Sequence, residues 1–160
     1  MNRFHNTSPH TDGQATAASR DAGRLLQSLT GSLPEPALQP VLVVVSGLPG
    51  TGKSFFSRQL AERVPLAVLE SDALRKVLTP SPRHTPKESA RLFQAIHEVI
   101  DLLLGHSVSV LLDATSLAEA HREPLYGLAE RHDAKLMVVL VEAPPEMVRQ
   151  RLEERGKTPL

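Results

Sequence analysis

From residue 41 onward the chain alternates short apolar runs with amphipathic ones. Residues 41–46, Val-Leu-Val-Val-Val-Ser, are apolar without alternation and rich in β-branched side chains. That pattern predicts a central parallel strand buried on both faces. The runs at 66–69, 108–112 and 136–141 read the same way. Between them the spacing predicts helices. Residues 53–63 carry Phe55, Phe56, Leu60 and Ala61 on a stripe, and Pro65 stops them. A short helix runs through Leu74, Val77 and Leu78. Thr85-Pro86-Lys87-Glu88 is a capping box with proline at the first helical position, opening a long helix to Leu104 that Gly105 closes. Ser116-Leu117-Ala118-Glu119 is a second capping box, for a helix to about Arg131. Pro144-Pro145-Glu146 starts a last helix, ending near Arg155 with Gly156 after it.

Four apolar strands alternating with helices predict an α/β domain whose parallel sheet is covered on both faces. In such folds ligands sit beyond the carboxyl ends of the strands. The sequence places Gly47-Leu48-Pro49-Gly50-Thr51-Gly52-Lys53-Ser54 after the first strand, Asp72 after the second and Asp113 after the third. Polar groups therefore converge on one edge of an apolar sheet.

Residues 1–39 differ from the rest, being rich in Ser, Thr, Pro, Gly, Ala and His. Composition reads them as a flexible N-terminal tail with one marginal helical segment around Leu25, Leu26 and Leu29; the other reading is a helix packed on the domain or on a partner. Residues 34–40 look like a linker, so the folded domain is expected over 40–160. The 160-residue length suits one domain, and the absence of cysteine excludes disulfides and thiolate metal sites. No membrane segment is expected, since no run approaches the ~18 apolar residues of a span. The start of the chain lacks the apolar core of a secretion signal, so a cytoplasmic protein is expected. Zero net charge and one Tyr with no Trp give no sign of a long nucleic-acid track.

The segment 47–54 is the pattern G-x-x-x-x-G-K-[ST], with the strand before and the helix after that its chemistry requires. Glycines let the backbone curl around a polyphosphate, and the N–H groups then point at it from a helix N-terminus. Lys53 brings a charge to the β- and γ-phosphates of ATP, and Ser54 offers a hydroxyl to Mg²⁺. Asp113 is either a second magnesium ligand or a cap for the next helix. Asp72 and Arg75 stand three apart, on one helix face: either a base and an anion-holding group for an acceptor, or a helix cap and a surface arginine. Arg149, Arg151 and Arg155 on the last helix can stabilise a transferring phosphoryl group, or form a solvated face balanced by Glu146, Glu153 and Glu154. His97 reads as a helix-surface or satisfied core histidine. No asparagine occurs after Asn6, so the guanine-reading N-K-x-D segment is absent, and Ala114 follows Asp113 where motor-type ATPases usually carry Glu.

The motifs at 46–54, Ser71-Asp72-Ala73-Leu74-Arg75 and Leu112-Asp113-Ala114-Thr115 resemble the small P-loop kinases of the polynucleotide kinase and zeta-toxin-like group, whose bacterial members include "AAA family ATPase" proteins. The resemblance covers about residues 41–160. It implies a P-loop NTPase three-layer αβα sandwich with strand order 2-3-1-4, ATP and Mg²⁺ as cofactors, and γ-phosphoryl transfer to an acceptor hydroxyl. The acceptor would be a small molecule or a nucleic-acid end. The resemblance makes Asp72 the general base, puts Arg75 on an acceptor phosphate, and makes Arg155 of Arg151-Leu152-Glu153-Glu154-Arg155-Gly156 the lid arginine. Nucleotide contacts are then expected from Gly47, Leu48, Pro49, Gly50, Thr51, Gly52, Lys53, Ser54, Phe55, Arg151 and Arg155, and metal contacts from Ser54 and Asp113. That group continues past its lid into a segment packed on the adenine, about where this chain stops at Leu160, so a shortened C-terminus or a weakly held base is expected. The other function class is an ATP-binding or ATPase module without phosphotransfer, acting as an interaction or regulatory protein.

Overall fold

The computed structural model describes residues 15–29, 33–115 and 118–157. Its elements are α1 (Ala17–Leu29), β1 (Val41–Gly47), α2 (Lys53–Arg63), β2 (Ala67–Glu70), α3 (Ser71–Leu78), α4 (Pro86–Gly105), β3 (Val110–Thr115), α5 (Glu119–Arg131), β4 (Lys135–Leu140) and α6 (Pro145–Lys157). The four strands form one sheet in the order β2-β3-β1-β4, and every pairing is parallel.

The strand period of two sorts the core into two layers. Leu42 and Val44 of β1, Leu69 of β2 and Val110 and Leu112 of β3 pack with α1, α3, α4 and α5. Val43, Val45 and Leu111 point the other way, onto Phe56 and Leu60 of α2. The αβα sandwich thus follows from which residues alternate. Cover is incomplete at β4: Met137, Val138 and Leu140 are exposed, so the expectation of a sheet covered on both faces fails there. β4 is an edge strand, and the large helical layer is centred on the β2–β3–β1 side.

The tail reading fails over α1. Ala22 and Leu25 are fully buried against α4 and α3. Arg91 of α4 grips Asp21 with two hydrogen bonds, Nε at 2.7 Å and Nη2 at 2.8 Å. Arg24 donates from Nη2 to the Val77 carbonyl at 2.7 Å, tying α1 to the last turn of α3. Composition counted polar residues where a single buried face was enough. Residues 1–14 lie outside the described part of the chain.

Caps and ends shift by a few residues. Thr85 caps α4 as expected, accepting from Glu88 N at 3.2 Å. The Glu88 carboxylate, however, reaches past Thr85 to the main-chain N–H groups of Arg83 and His84. Gly105 sits inside α4, with His106 as its cap, and Gly156 sits inside α6. The second capping box centred on Ser116 and Leu117 lies outside the described residues; α5 starts two residues later, with Ala118 at its N-cap and Pro124 within it. Among the described residues no helix is long and apolar enough to cross a membrane.

The Asp21–Arg91 pair carries a pH signature. The hydrogen bonds from Arg91 hold the Asp21 carboxyl below its ordinary value of 3.8. A carboxyl with a depressed folded pKa stabilises the fold above its unfolded pKa, and that contribution is lost as pH falls through the folded value. Arg91 is half exposed, so the pair is worth about 1 kcal/mol or less. Stability measured by urea unfolding between pH 6 and 3 should fall more steeply in the wild type than in Asp21→Asn, which has no proton to take up.

Candidate active site

Four segments meet at the carboxyl edge of the sheet. The first is the loop between β1 and α2. β1 ends at Gly47, where a Cβ would stand 2.6 Å from the Val141 carbonyl oxygen, so only glycine lets the chain leave the sheet there. Gly50 and Gly52 have φ of 82° and 94°, the left-handed region that side chains avoid. Thr51 Oγ1 donates to the Leu48 carbonyl at 2.8 Å and pins the curl. Gly52 is the N-cap of α2, so the helix N-terminus opens into the hollow that the loop encloses.

The second segment is the end of β3. Asp113 lies inside the strand, paired in register with Val45 and Glu70, and is almost fully buried. Lys53 Nζ donates to Asp113 Oδ1, and both side chains are out of solvent. The capping reading of Asp113 therefore falls away. Its carboxylate faces the phosphate loop from below.

The third segment is α3, which follows β2 with no intervening residue. Asp72 stands exposed in its first turn, and the N-cap position belongs to Glu70. Arg75, one turn on, is only 9% exposed, so it is not a surface arginine. Its Nη2 donates to Ser89 Oγ at 3.1 Å, while Nε and Nη1 are buried without a hydrogen-bond partner. The fourth segment is α6, lying over the loop. Arg151 Nη1 donates to the Gly50 carbonyl at 3.1 Å.

These segments enclose a cleft of about 370 Å³. Leu48, Pro49, Gly50, Gly52, Lys53, Ser54, Asp72, Arg75 and Arg155 all line it, so the structure brings together residues that the sequence spreads over more than a hundred positions. Gly47 and Thr51 shape the loop from outside it. Two expected residues do not line the cleft with their side chains: the Phe55 ring points to solvent at 65% exposure, and Arg151 holds the loop's main chain. The Phe55 main-chain N–H still belongs to the first turn of α2, ahead of the first helical bond at Phe56. Arg149 lines a second, apolar hollow of about 550 Å³ between β4 and α6.

Sequence reasoning missed Ser71, His84, Phe93 and Thr115, which also line the cleft. Thr115 had a signal, as the last residue of β3 at the same strand edge. Phe93 and His84 had none, since they reach the cleft from α4 and from the loop before it. His97 is a satisfied core histidine: burial pushes its pKa down, and its Nε2 donates to the His121 carbonyl at 2.8 Å. Among the described residues there is no cluster of three or more His, Asp or Glu side chains placed to hold a metal on their own. One hydroxyl and one carboxylate, Ser54 and Asp113, still suit Mg²⁺, which usually takes one or two protein ligands together with substrate phosphates and water.

A curled glycine loop with a buried lysine, on the central strand of a 2-3-1-4 parallel sheet, defines a P-loop nucleoside triphosphate domain of the kinase group. The chain belongs to the AAA_33 family, an AAA domain, which matches residues 42–159. It is 26% identical to the L-seryl-tRNA(Sec) kinase of Methanococcus maripaludis over 73% of this chain and 47% of that protein. It is 31% identical to the adenylyl-sulfate kinase of Myxococcus xanthus over 65% of this chain and 58% of that protein. The chain thus spans about half the length of these curated relatives. A solved structure from the PezAT chromosomal toxin-antitoxin system of Streptococcus pneumoniae superposes with a TM-score of 0.69 at 15% identity, covering 87% of this chain and 62% of that one. That likeness concerns the fold.

Gly47→Ala should push the end of β1 off the Val141 carbonyl and weaken MgATP binding at least about tenfold in a calorimetric titration. Gly127→Ala has open space around its Cβ on α5 and should instead raise stability by about 0.5–1 kcal/mol.

Proposed function

We propose that the protein transfers the γ-phosphoryl group of MgATP to the hydroxyl of an acceptor that also carries an anionic group. The observation that carries this is the shared cleft: a phosphate loop, a free carboxylate at Asp72, a buried arginine and a lid arginine all face one hollow. The relatives named as seryl-tRNA(Sec) and adenylyl-sulfate kinases support the same reaction class.

Each residue has a role set by its position. The loop's N–H groups and the α2 N-terminus hold the β- and γ-phosphates. Lys53, now paired with Asp113, moves its charge onto the phosphates. Ser54 and Asp113 would hold Mg²⁺, which would supply neutralisation of phosphate charge. Asp72 takes the proton from the acceptor hydroxyl. The hydroxyl oxygen then attacks the γ-phosphorus in line, the bond to the β–γ bridging oxygen breaks, and ADP leaves with the released charge. Arg155 on α6 offsets charge on the transferring group and helps to exclude water. Arg75 orients the acceptor through its anionic group. Such a reaction asks the protein for positioning and electrostatics, and little covalent work.

ATP turnover should be assayed with acceptor panels of 5′-hydroxyl oligonucleotides, phosphorylated sugars and hydroxyl-bearing nucleotides. Asp72→Asn should lower transfer by about 10²–10⁴-fold and leave MgATP binding intact. Transfer at the wild-type rate would remove Asp72 from the chemistry. Lys53→Ala should weaken MgATP binding by at least about tenfold. Nucleotide binding with no transfer to any acceptor would favour a binding module over a kinase.

A further inference from the structure

We infer that His84 joins Arg75 in holding the acceptor's anionic group, contacting it directly from the acceptor side of the cleft. The inference deepens the kinase reading and rests on it. Its starting point is the unsatisfied state of Arg75. A guanidinium about nine-tenths buried, with Nε and Nη1 lacking hydrogen-bond partners, carries the desolvation cost of both groups. The nearest carboxylate does not relieve it: Glu88 Oε2 lies 3.8 Å from Nη1, close enough for charge and too far for a hydrogen bond.

The Glu88 oxygens are committed to the main chain. They accept from Arg83 N at 3.0 Å and from His84 N at 2.8 Å, and these bonds hold the Glu88 carboxyl below its ordinary value of 4.5. One atom, Oε2, meets both the His84 N–H and the Arg75 guanidinium, so the loop and the arginine are locked to each other. The loop itself is stiff: Pro80, Pro82 and Pro86 limit its backbone, and Thr85 caps the next helix.

Within that stiff loop His84 adopts φ 56°, a left-handed backbone that a residue with a Cβ pays for. The consequence is placement. His84 lines the same cleft as Arg75, Ser71 and Asp72. An imidazole and a guanidinium on one wall, beside the exposed carboxylate that would take a hydroxyl proton, suit a compound bearing a hydroxyl and an oxyanion a short distance apart. Glu88 serves as a positioning residue that aims both side chains without occupying the subsite.

The test uses the full chain, isotopically labelled and saturated with magnesium and the non-hydrolysable analogue AMP-PNP, which fills the phosphate loop. Inorganic phosphate is titrated in while the His84 ring C–H and Ser89 amide signals are followed by NMR. The His84 signal should shift saturably. His84→Gly keeps the left-handed turn and removes the ring, and should weaken phosphate about fivefold or more at the Ser89 amide. Arg75→Ala should abolish the saturable response. AMP-PNP affinity on the same samples separates a local effect from loss of fold. A motionless His84 signal, or unchanged phosphate affinity in His84→Gly, overturns the subsite. Failure of AMP-PNP to bind the wild type would remove the kinase reading instead, and the His84 response to phosphate would still decide the subsite.

Discussion

At the end of β1 there is no room for a side chain, and the site depends on that fact. Because β1 runs between β3 and β4, its last residue is pressed against the chain leaving β4. Glycine at 47 lets the backbone turn out of the sheet within one residue. The curl through Gly50 and Gly52 then brings Lys53 down to the carboxyl end of β3, where Asp113 meets it. Burying a lysine and an aspartate together costs several kcal/mol of solvation per ion and is tolerated only when each satisfies the other. The pair stands between the glycine loop and β3, at the edge of the sheet where the cleft opens.

The two sides of the cleft are built on different physics. The nucleotide side is local: eight consecutive residues, a helix N-terminus and one strand-end carboxylate make it. The rest of the cleft is assembled from distant pieces. Asp72 and Arg75 come from α3, Phe93 from α4, whose Ser89 bonds Arg75, and His84 from the stiff loop that joins those helices. α1 braces this wall from behind, through Leu25 and Ala22 in the core, the Asp21–Arg91 pair onto α4, and Arg24 onto α3. α1 lies outside residues 42–159, the part matched by the family, yet its packing bears on the two helices that carry Asp72, Arg75 and Phe93.

Most of the fold was legible in the chain because its signals are short-ranged. A run such as 41–46 has nowhere to hide its β-branched side chains except inside a sheet, and G-x-x-x-x-G-K-[ST] between a strand and a helix encodes its own backbone shape. Asp113 was legible by the same logic, as a charge closing an apolar run, although β3 continues past it to Thr115. Where local patterns were ambiguous, packing decided. α1 read as tail because one buried face of Ala22 and Leu25 is a weak periodic signal until α4 is placed against it. Arg75 read equally well as surface arginine or site residue, since its spacing from Asp72 fixes a helix face and not what covers that face. Phe55 sits next to Ser54 in sequence and still turns away, because consecutive helical residues point about 100° apart.

The amino-acid sequence by itself determined the alternation of strands and helices, the phosphate loop and the charges at the strand ends, since each depends on neighbours a few residues apart. Only the tertiary structure decided which cations are buried, which arginine faces the cleft and which merely clamps the loop, and that His84 and Phe93 line the same cleft as Asp72. Those outcomes depend on contacts between elements, whose distance along the chain carries no information about their distance in space.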